Sequence, residues 1–177
     1  MAQLKKYSLD GPSIATEFEG SLTAMETPHV DEDFHGWLVH QAEALHSREY
    51  SRLDSDALAE ELESMAASER RELRKRLHVL LLHLLKWQTQ PHQREHRGRG
   101  WKKSMLEARR QISDLINDSH SLRRYLPELI EGAWGRACED ALEYVPSQSL
   151  PDTCPWPYEV FIARDFLPDQ PESPASS

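Results

Sequence analysis

The chain has 177 residues, of which 38% are hydrophobic and 29% charged, and its formal net charge is −9. This length allows one core of ordinary size, and the composition predicts a globular protein with a charged surface. The acidic balance disfavours general affinity for nucleic acid or anionic membranes. No stretch approaches the ~18 apolar residues of a membrane span, and the first residues lack the apolar segment of a secretory signal.

The cysteines and the known motifs give no sign of a cofactor. Cys138 and Cys154 are the only cysteines, and their spacing fits no metal motif. We expect two reduced thiols in a cytoplasmic protein, with a single disulfide as the alternative. No cofactor is predicted, because the chain lacks a Gly-rich phosphate loop, a nucleophile elbow and a Cys/His zinc framework.

The chain divides into three segments by composition. Residues 1–30 mix charged residues, glycine and proline without a regular period, which predicts a weakly ordered N-terminal extension. Residues 31–168 carry successive helical patterns and are predicted to form a helical domain. The end of the chain, residues 169–177, is acidic and rich in Pro and Ser, which predicts a disordered tail.

The helical domain shows four main patterns in chain order. A first helix is predicted after Asp31, and Asp54 is the expected N-cap of a second, long helix. Pro91 and the pair Gly98 and Gly100 are expected to break the chain before a third helix. A fourth helix is expected after the segment NDSHS, and YEVFIARDF predicts one short C-terminal helix. The predicted fold class is all-α, a helical bundle of about four main helices with a short C-terminal helix.

A column of polar residues lies along the apolar stripe of the long helix. Glu69, Arg76 and His83 are seven residues apart, so at ~100° per residue they lie nearly above one another. Buried charges must pair, meet water or bind a ligand. The favoured interpretation is a structural network in which Arg76 pairs with Glu69 or Glu72. The alternative is a catalytic or metal site formed by Glu61, Glu69 and His83.

A basic segment follows the long helix. Residues 92–110, HQREHRGRGWKKSMLEARR, contain seven Arg or Lys and two Glu. The favoured interpretation is a solvated connecting loop; arginines around a tryptophan also suit nucleic acid or an acidic protein partner. His92 and His96 would suit zinc only in a helix, which Pro91 disfavours, and no metal site is predicted. The candidate binding residues are Lys86, Trp87, Gln88, Arg94, Arg97, Arg99, Trp101, Lys102 and Arg109.

Several stretches together resemble one bacterial family. LAEELESM, SERRELRKRLHVLLLHLLKWQTQP, DSHSLRRYLPE and PDTCPWPYEVFIARDFLP are similar to the family called domain of unknown function 29, over about residues 33–168. HLLKWQ-x-QP and the ending with TCP and DFLP are the most specific pieces. The resemblance implies a small α-helical bacterial protein and brings no activity with it. The positions that match the family pattern are Glu60, Glu61, Glu63, Glu69, His83, Lys86, Trp87, Gln88, Pro91, Trp101 and Arg109.

The predicted function is a non-catalytic protein-interaction or regulatory module with a protein partner. The acidic residues Glu60, Glu61 and Glu63, beside the basic segment, would form a docking surface of two signs. One alternative is a metal-assisted phosphodiester hydrolase, with Glu61, Glu69 and His83 near the metal. Another is a nucleic-acid-binding accessory protein that uses residues 92–110, which is not favoured. No membrane partner is predicted.

Overall fold

The computed structural model describes residues 29–145 and 150–168. Within these ranges the chain is helical and has no β-strand, which confirms the predicted fold class. The predicted N-terminal extension, apart from residues 29–30, and the predicted tail lie outside the described residues. The chain divides into two units, Met1–Ala59 and Glu60–Ser177. None of the helices in the described ranges combines the length and the apolar character needed to cross a bilayer.

Four main helices and one short helix follow in chain order, joined partly by 3₁₀ turns. The helices are α1, Phe34–Ser47; α2, Ser55–Thr89; α3, Arg94–Asp118; α4, Leu126–Ala141; and α5, Tyr158–Phe161. The 3₁₀ turns are Tyr50–Arg52, Pro91–Gln93 and His120–Tyr125.

In the first unit, side chains cap both helix starts. The Asp33 carboxylate accepts from the Gly36 N–H at 2.9 Å at the start of α1. As predicted, Asp54 caps α2, because its carboxylate accepts from the Ala57 N–H at 3.1 Å. The buried Gln41 side chain in turn accepts from the Asp54 N–H at 2.8 Å. A side-chain oxygen thus satisfies an N–H group that a helix start leaves without a backbone partner.

The core of the second unit is formed by one face each of α2, α3 and α4. The apolar stripe predicted for α2 is buried from Leu73 onward, whereas Leu62 and Met65 are 58% and 59% exposed. Burial of each leucine contributes roughly 1.5–3 kcal/mol. The buried hydrophobic residues of the three helices are Leu73, Leu77, Leu80, Leu81, Leu84, Leu85, Trp101, Met105, Ala108, Ile112, Ile116, Leu129, Ala133, Trp134, Ala137 and Ala141.

Alanines rather than glycines form the small packed row of α4. Ala133, Ala137 and Ala141 are fully buried at four-residue spacing, so they form the packed row. Gly132 and Gly135 are exposed, and a Cβ added at Gly135 would meet nothing within 4 Å. The alanines, not the glycines, therefore provide the small surface.

The predicted chain break at Gly98 and Gly100 is wrong, because both glycines lie inside α3. The chain breaks at the 3₁₀ turn Pro91–Gln93, as the position of Pro91 predicted. Glycine in a helix interior costs about 1 kcal/mol relative to alanine, a cost that tertiary packing can offset. At Gly98 the packing is visible, since an added Cβ would lie 3.2 Å from Cζ3 of Trp87. The absent side chain lets α3 approach the end of α2.

Arg109 holds the C-terminal segment against α3. Its side chain is 5% exposed, and its guanidinium donates to the carbonyl oxygens of Phe161, Arg164 and Phe166 at 3.0, 2.8 and 2.7 Å. Burial lowers the pKa of Arg109, an effect that nearby Asp165 partly opposes. The predicted helix over YEVFIARDF ends already at Phe161. The guanidinium thus satisfies carbonyls at and beyond the end of this short helix.

Replacing Arg109 with methionine is expected to destabilise the protein by about 2–4 kcal/mol, because three carbonyl oxygens lose their donors. Urea unfolding measures this loss, and hydrogen exchange should show faster exchange in residues 158–168. The control is Arg110→Met at the adjacent, exposed arginine, whose ion pairs with Glu107 and Asp114 lie in water. We expect little change there. Equal losses in both variants would contradict the role of Arg109.

Gly100→Ala is expected to raise the free energy of unfolding by about 0.5–1 kcal/mol, because the new methyl group meets no atom within 4 Å. Gly98→Ala should gain less, since its methyl group would lie 3.2 Å from the Trp87 ring. Chemical denaturation of the two variants measures the difference. An equal gain at both positions would show that the contact between Trp87 and α3 is not tight.

Candidate functional site

A shallow basic depression lies where α2 ends and α3 begins. Its volume is about 290 Å³, and we name it the Trp87 surface. Trp87 belongs to the last turn of α2, and Arg94, Gly98 and Lys102 follow at four-residue steps along α3. Residues at this spacing share one helix face. The lining residues are Trp87, Arg94, Gly98, Arg99 and Lys102.

Two cations lie over the Trp87 ring. The Arg94 guanidinium carbon is 4.8 Å from a ring centroid and the Lys102 ammonium nitrogen is 4.9 Å from one. Both distances fall within the range of cation–π attraction. Arg94 also donates twice to the Trp87 carbonyl oxygen, at 2.9 and 2.6 Å. Arg94 therefore satisfies a carbonyl in the last turn of α2 and orders the tryptophan at the same time.

The basic segment leaves exposed positive charge on α3. Arg97, Arg99, Lys102 and Lys103 are exposed, and none of them forms a salt bridge with another described residue. Two residues correspond to a turn of ~200°, so Arg97 lies on the opposite side of α3 from Arg99. Arg99 and Lys102 line the Trp87 surface, so the unpaired charge of this surface comes from these two residues.

The structure brings together four of the nine predicted binding residues, namely Trp87, Arg94, Arg99 and Lys102. The other five do not line this surface. Trp101 and Arg109 are buried, Gln88 is half-buried and Arg97 is exposed outside the depression. The Lys86 ammonium lies 5.6 Å from the centroid of the Tyr144 ring.

Sequence reasoning missed Gly98 as a site residue. The four-residue spacing of Arg94, Gly98 and Lys102 would have indicated it, had the segment been interpreted as a helix. The acidic residues expected beside the basic segment lie instead near the start of α2. Glu63 and Trp87 are 24 positions apart in one helix, which is about 36 Å. The predicted docking surface of two signs is therefore not formed within the second unit.

The polar residues of the α2 column do not form one network but three separate interactions. Glu69 accepts from the Ser119 hydroxyl at 2.9 Å. Arg76 pairs with Glu72, one of the two predicted partners. His83 donates through Nδ1 to the Val79 carbonyl oxygen at 2.8 Å. Among the described residues, no three His, Cys, Asp or Glu side chains are placed to hold a metal ion.

His83 and the two cysteine thiols of the second unit also have shifted pKa values. Burial lowers the pKa of His83, while its hydrogen bond to Val79 raises it and Lys86 and His78 lower it further. Cys138 and Cys154 are free thiols, as predicted, and burial raises the pKa of both. A raised pKa keeps a thiol protonated and therefore weakly nucleophilic at neutral pH.

The described helices and the Trp87 surface define an all-helical protein with a basic depression between two helices. The chain belongs to the family described as "Domain of unknown function DUF29", whose family model matches residues 30–167. The match covers most of the chain and confirms the resemblance found in its sequence. No curated protein and no solved structure matches the chain.

His83 is expected to make the fold less stable as the pH falls from about 7 to about 5. Its folded-state pKa lies below the ordinary value of 6.5, so the unfolded chain takes up the proton first and stability is lost below that value. Urea unfolding across this range should show a smaller pH dependence for His83→Gln than for the unaltered protein.

The matched control is His92→Gln, at an exposed histidine in the turn between α2 and α3. This variant should keep the pH dependence of the unaltered protein. If His83→Gln has the same pH profile as the control, burial of the imidazole does not affect stability in this range.

Proposed function

We propose that this protein is a non-catalytic interaction module that binds an acidic segment of a partner protein through the Trp87 surface. The observation that carries the proposal is the arrangement of Arg94 and Lys102 over the Trp87 ring, beside the unpaired charge of Arg99. A regulatory role through this partner and a place in the bacterial cytoplasm belong to the same proposal.

The charge distribution supports an acidic partner. The chain has a net charge of −9, whereas residues 92–110 contain seven basic and two acidic side chains. Arg110 is neutralised by Glu107 and Asp114, but Arg99, Lys102 and Lys103 have no acidic partner among the described residues. Carboxylates of a partner would complement these cations, steer its approach and fix its orientation.

The tryptophan favours a protein segment over nucleic acid. Aromatic side chains that bind single strands stack their ring face on a base. The Trp87 ring already carries two cations, and its edge packs on Gly98. A base could stack there only by displacing Arg94 or Lys102. An acidic side chain, in contrast, can pair with Arg94 or Lys102 without displacing either from the ring.

The test compares two labelled probes, a peptide rich in Asp and Glu and a single-stranded oligonucleotide of equal length. Fluorescence anisotropy measures the binding of each to the full chain. We expect the peptide to bind more tightly than the oligonucleotide. The variant Arg99→Glu should weaken peptide binding severalfold, since it replaces an attractive charge of the Trp87 surface by a repulsive one.

The matched control is Arg136→Glu, at an exposed arginine on α4. Its binding should stay close to that of the unaltered protein. Tighter binding of the oligonucleotide would show that nucleic acid is the partner instead. An equal loss in the control would show that only total charge matters, and would contradict the assignment to the Trp87 surface.

A further inference from the structure

A second cavity, of about 440 Å³, lies between α3 and the C-terminal segment. Its polar lining consists of Lys102, Arg109, Arg164 and Asp165. Three of these side chains are cations and one is a carboxylate, so the lining has a net positive charge. We name this cavity the Arg109 pocket. It shares Lys102 with the Trp87 surface but is otherwise lined by different residues.

Arg109 is buried and forms no salt bridge with a described residue, although the carboxylate of Asp165 lines the same pocket. Its three hydrogen bonds go to carbonyl oxygens, which carry only partial charge. A buried charge that lacks a counterion is costly, so an anion at this place would be stabilised. A guanidinium has five N–H groups, and the three bonds leave two of them for another acceptor.

The rest of the lining indicates the kind of anion. The remaining lining residues, Met105, Leu106 and Leu167, are apolar. A volume of about 440 Å³ falls in the range of small-molecule sites, about 300–1,000 Å³. The pocket therefore combines a cationic end with apolar surface, which suits an oxyanion joined to a small apolar group.

A neighbouring cavity of about 510 Å³ also touches Arg109 and Arg164, and it suits an anion less well. Its lining includes Glu107 and Asp114, which would repel an anion, and both are paired with Arg110. The Arg109 pocket contains only the single carboxylate of Asp165. The charge balance therefore selects the Arg109 pocket.

We propose that the Arg109 pocket binds a small organic oxyanion, a carboxylate or phosphate monoester with an apolar group. The oxyanion lies against Arg109, Lys102 and Arg164, and the apolar group lies against Met105 and Leu167. Arg109 thus has two roles, because it also holds the C-terminal segment. This ligand site shares Lys102 with the Trp87 surface, but the proposal does not require the acidic protein partner proposed there.

The experiment uses the ¹⁵N-labelled full chain and two probes, phenyl phosphate and benzoate, with phenol as the uncharged control. NMR follows the Nε–H signal of Arg109 and the backbone amides of residues 161–167. We expect saturable shifts with both anions and none with phenol. The doubly charged phosphate should bind more tightly than benzoate, because its charge is larger.

Arg164→Gln is the decisive variant, since it removes an exposed charge of the pocket and keeps the backbone carbonyl that Arg109 binds. It should weaken phenyl phosphate binding about tenfold. Arg136→Gln on α4 is the matched control, and Arg99→Glu should also leave this binding unchanged. The absence of a saturable shift at Arg109, or equal binding in Arg164→Gln and the control, overturns the proposal.

Discussion

The contact between Trp87 and Gly98 determines how α3 leaves the end of α2. The Trp87 ring contacts three residues of α3, because its edge lies close to Gly98 while the cations of Arg94 and Lys102 lie over it. The bonds from Arg94 to the Trp87 carbonyl connect the two helices through the same pair of residues. Farther along α3, Trp101, Met105 and Ile112 continue the packing in the shared core.

The same helix uses its arginines in two different ways. Arg94 and Arg109 are ordered by carbonyl oxygens, and Arg109 is buried almost completely. Arg99 and Lys103 remain in water without an acidic partner among the described residues. Arginine suits the first use because its planar group donates several bonds at fixed angles. Exposed cations suit the second use because they keep their charge available to a partner.

Much of the fold follows from local patterns. The cap at Asp54 and the leucine spacing from Leu73 onward are properties of neighbouring residues, so the sequence predicts them directly. The helix across Gly98 could not be predicted in this way, because glycine is locally unfavourable in a helix. The reason for a glycine at this position is its close contact with the Trp87 ring, which the sequence does not show. The predicted binding residues are close together in the sequence, but Trp101 is buried and Arg97 does not line the Trp87 surface. Side-chain direction on a helix is decided by packing.

By itself, the sequence determined the helical class, the family and the position of the basic segment, because periodicity, motif and charge are encoded by residues close in the chain. Only the tertiary structure decided which basic side chains meet. Arg109 illustrates the difference, since its partners Phe161, Arg164 and Phe166 lie more than fifty positions away. From the sequence, a charged residue in a basic segment is expected to be solvated. Its burial becomes possible only because carbonyl groups far along the chain supply hydrogen bonds.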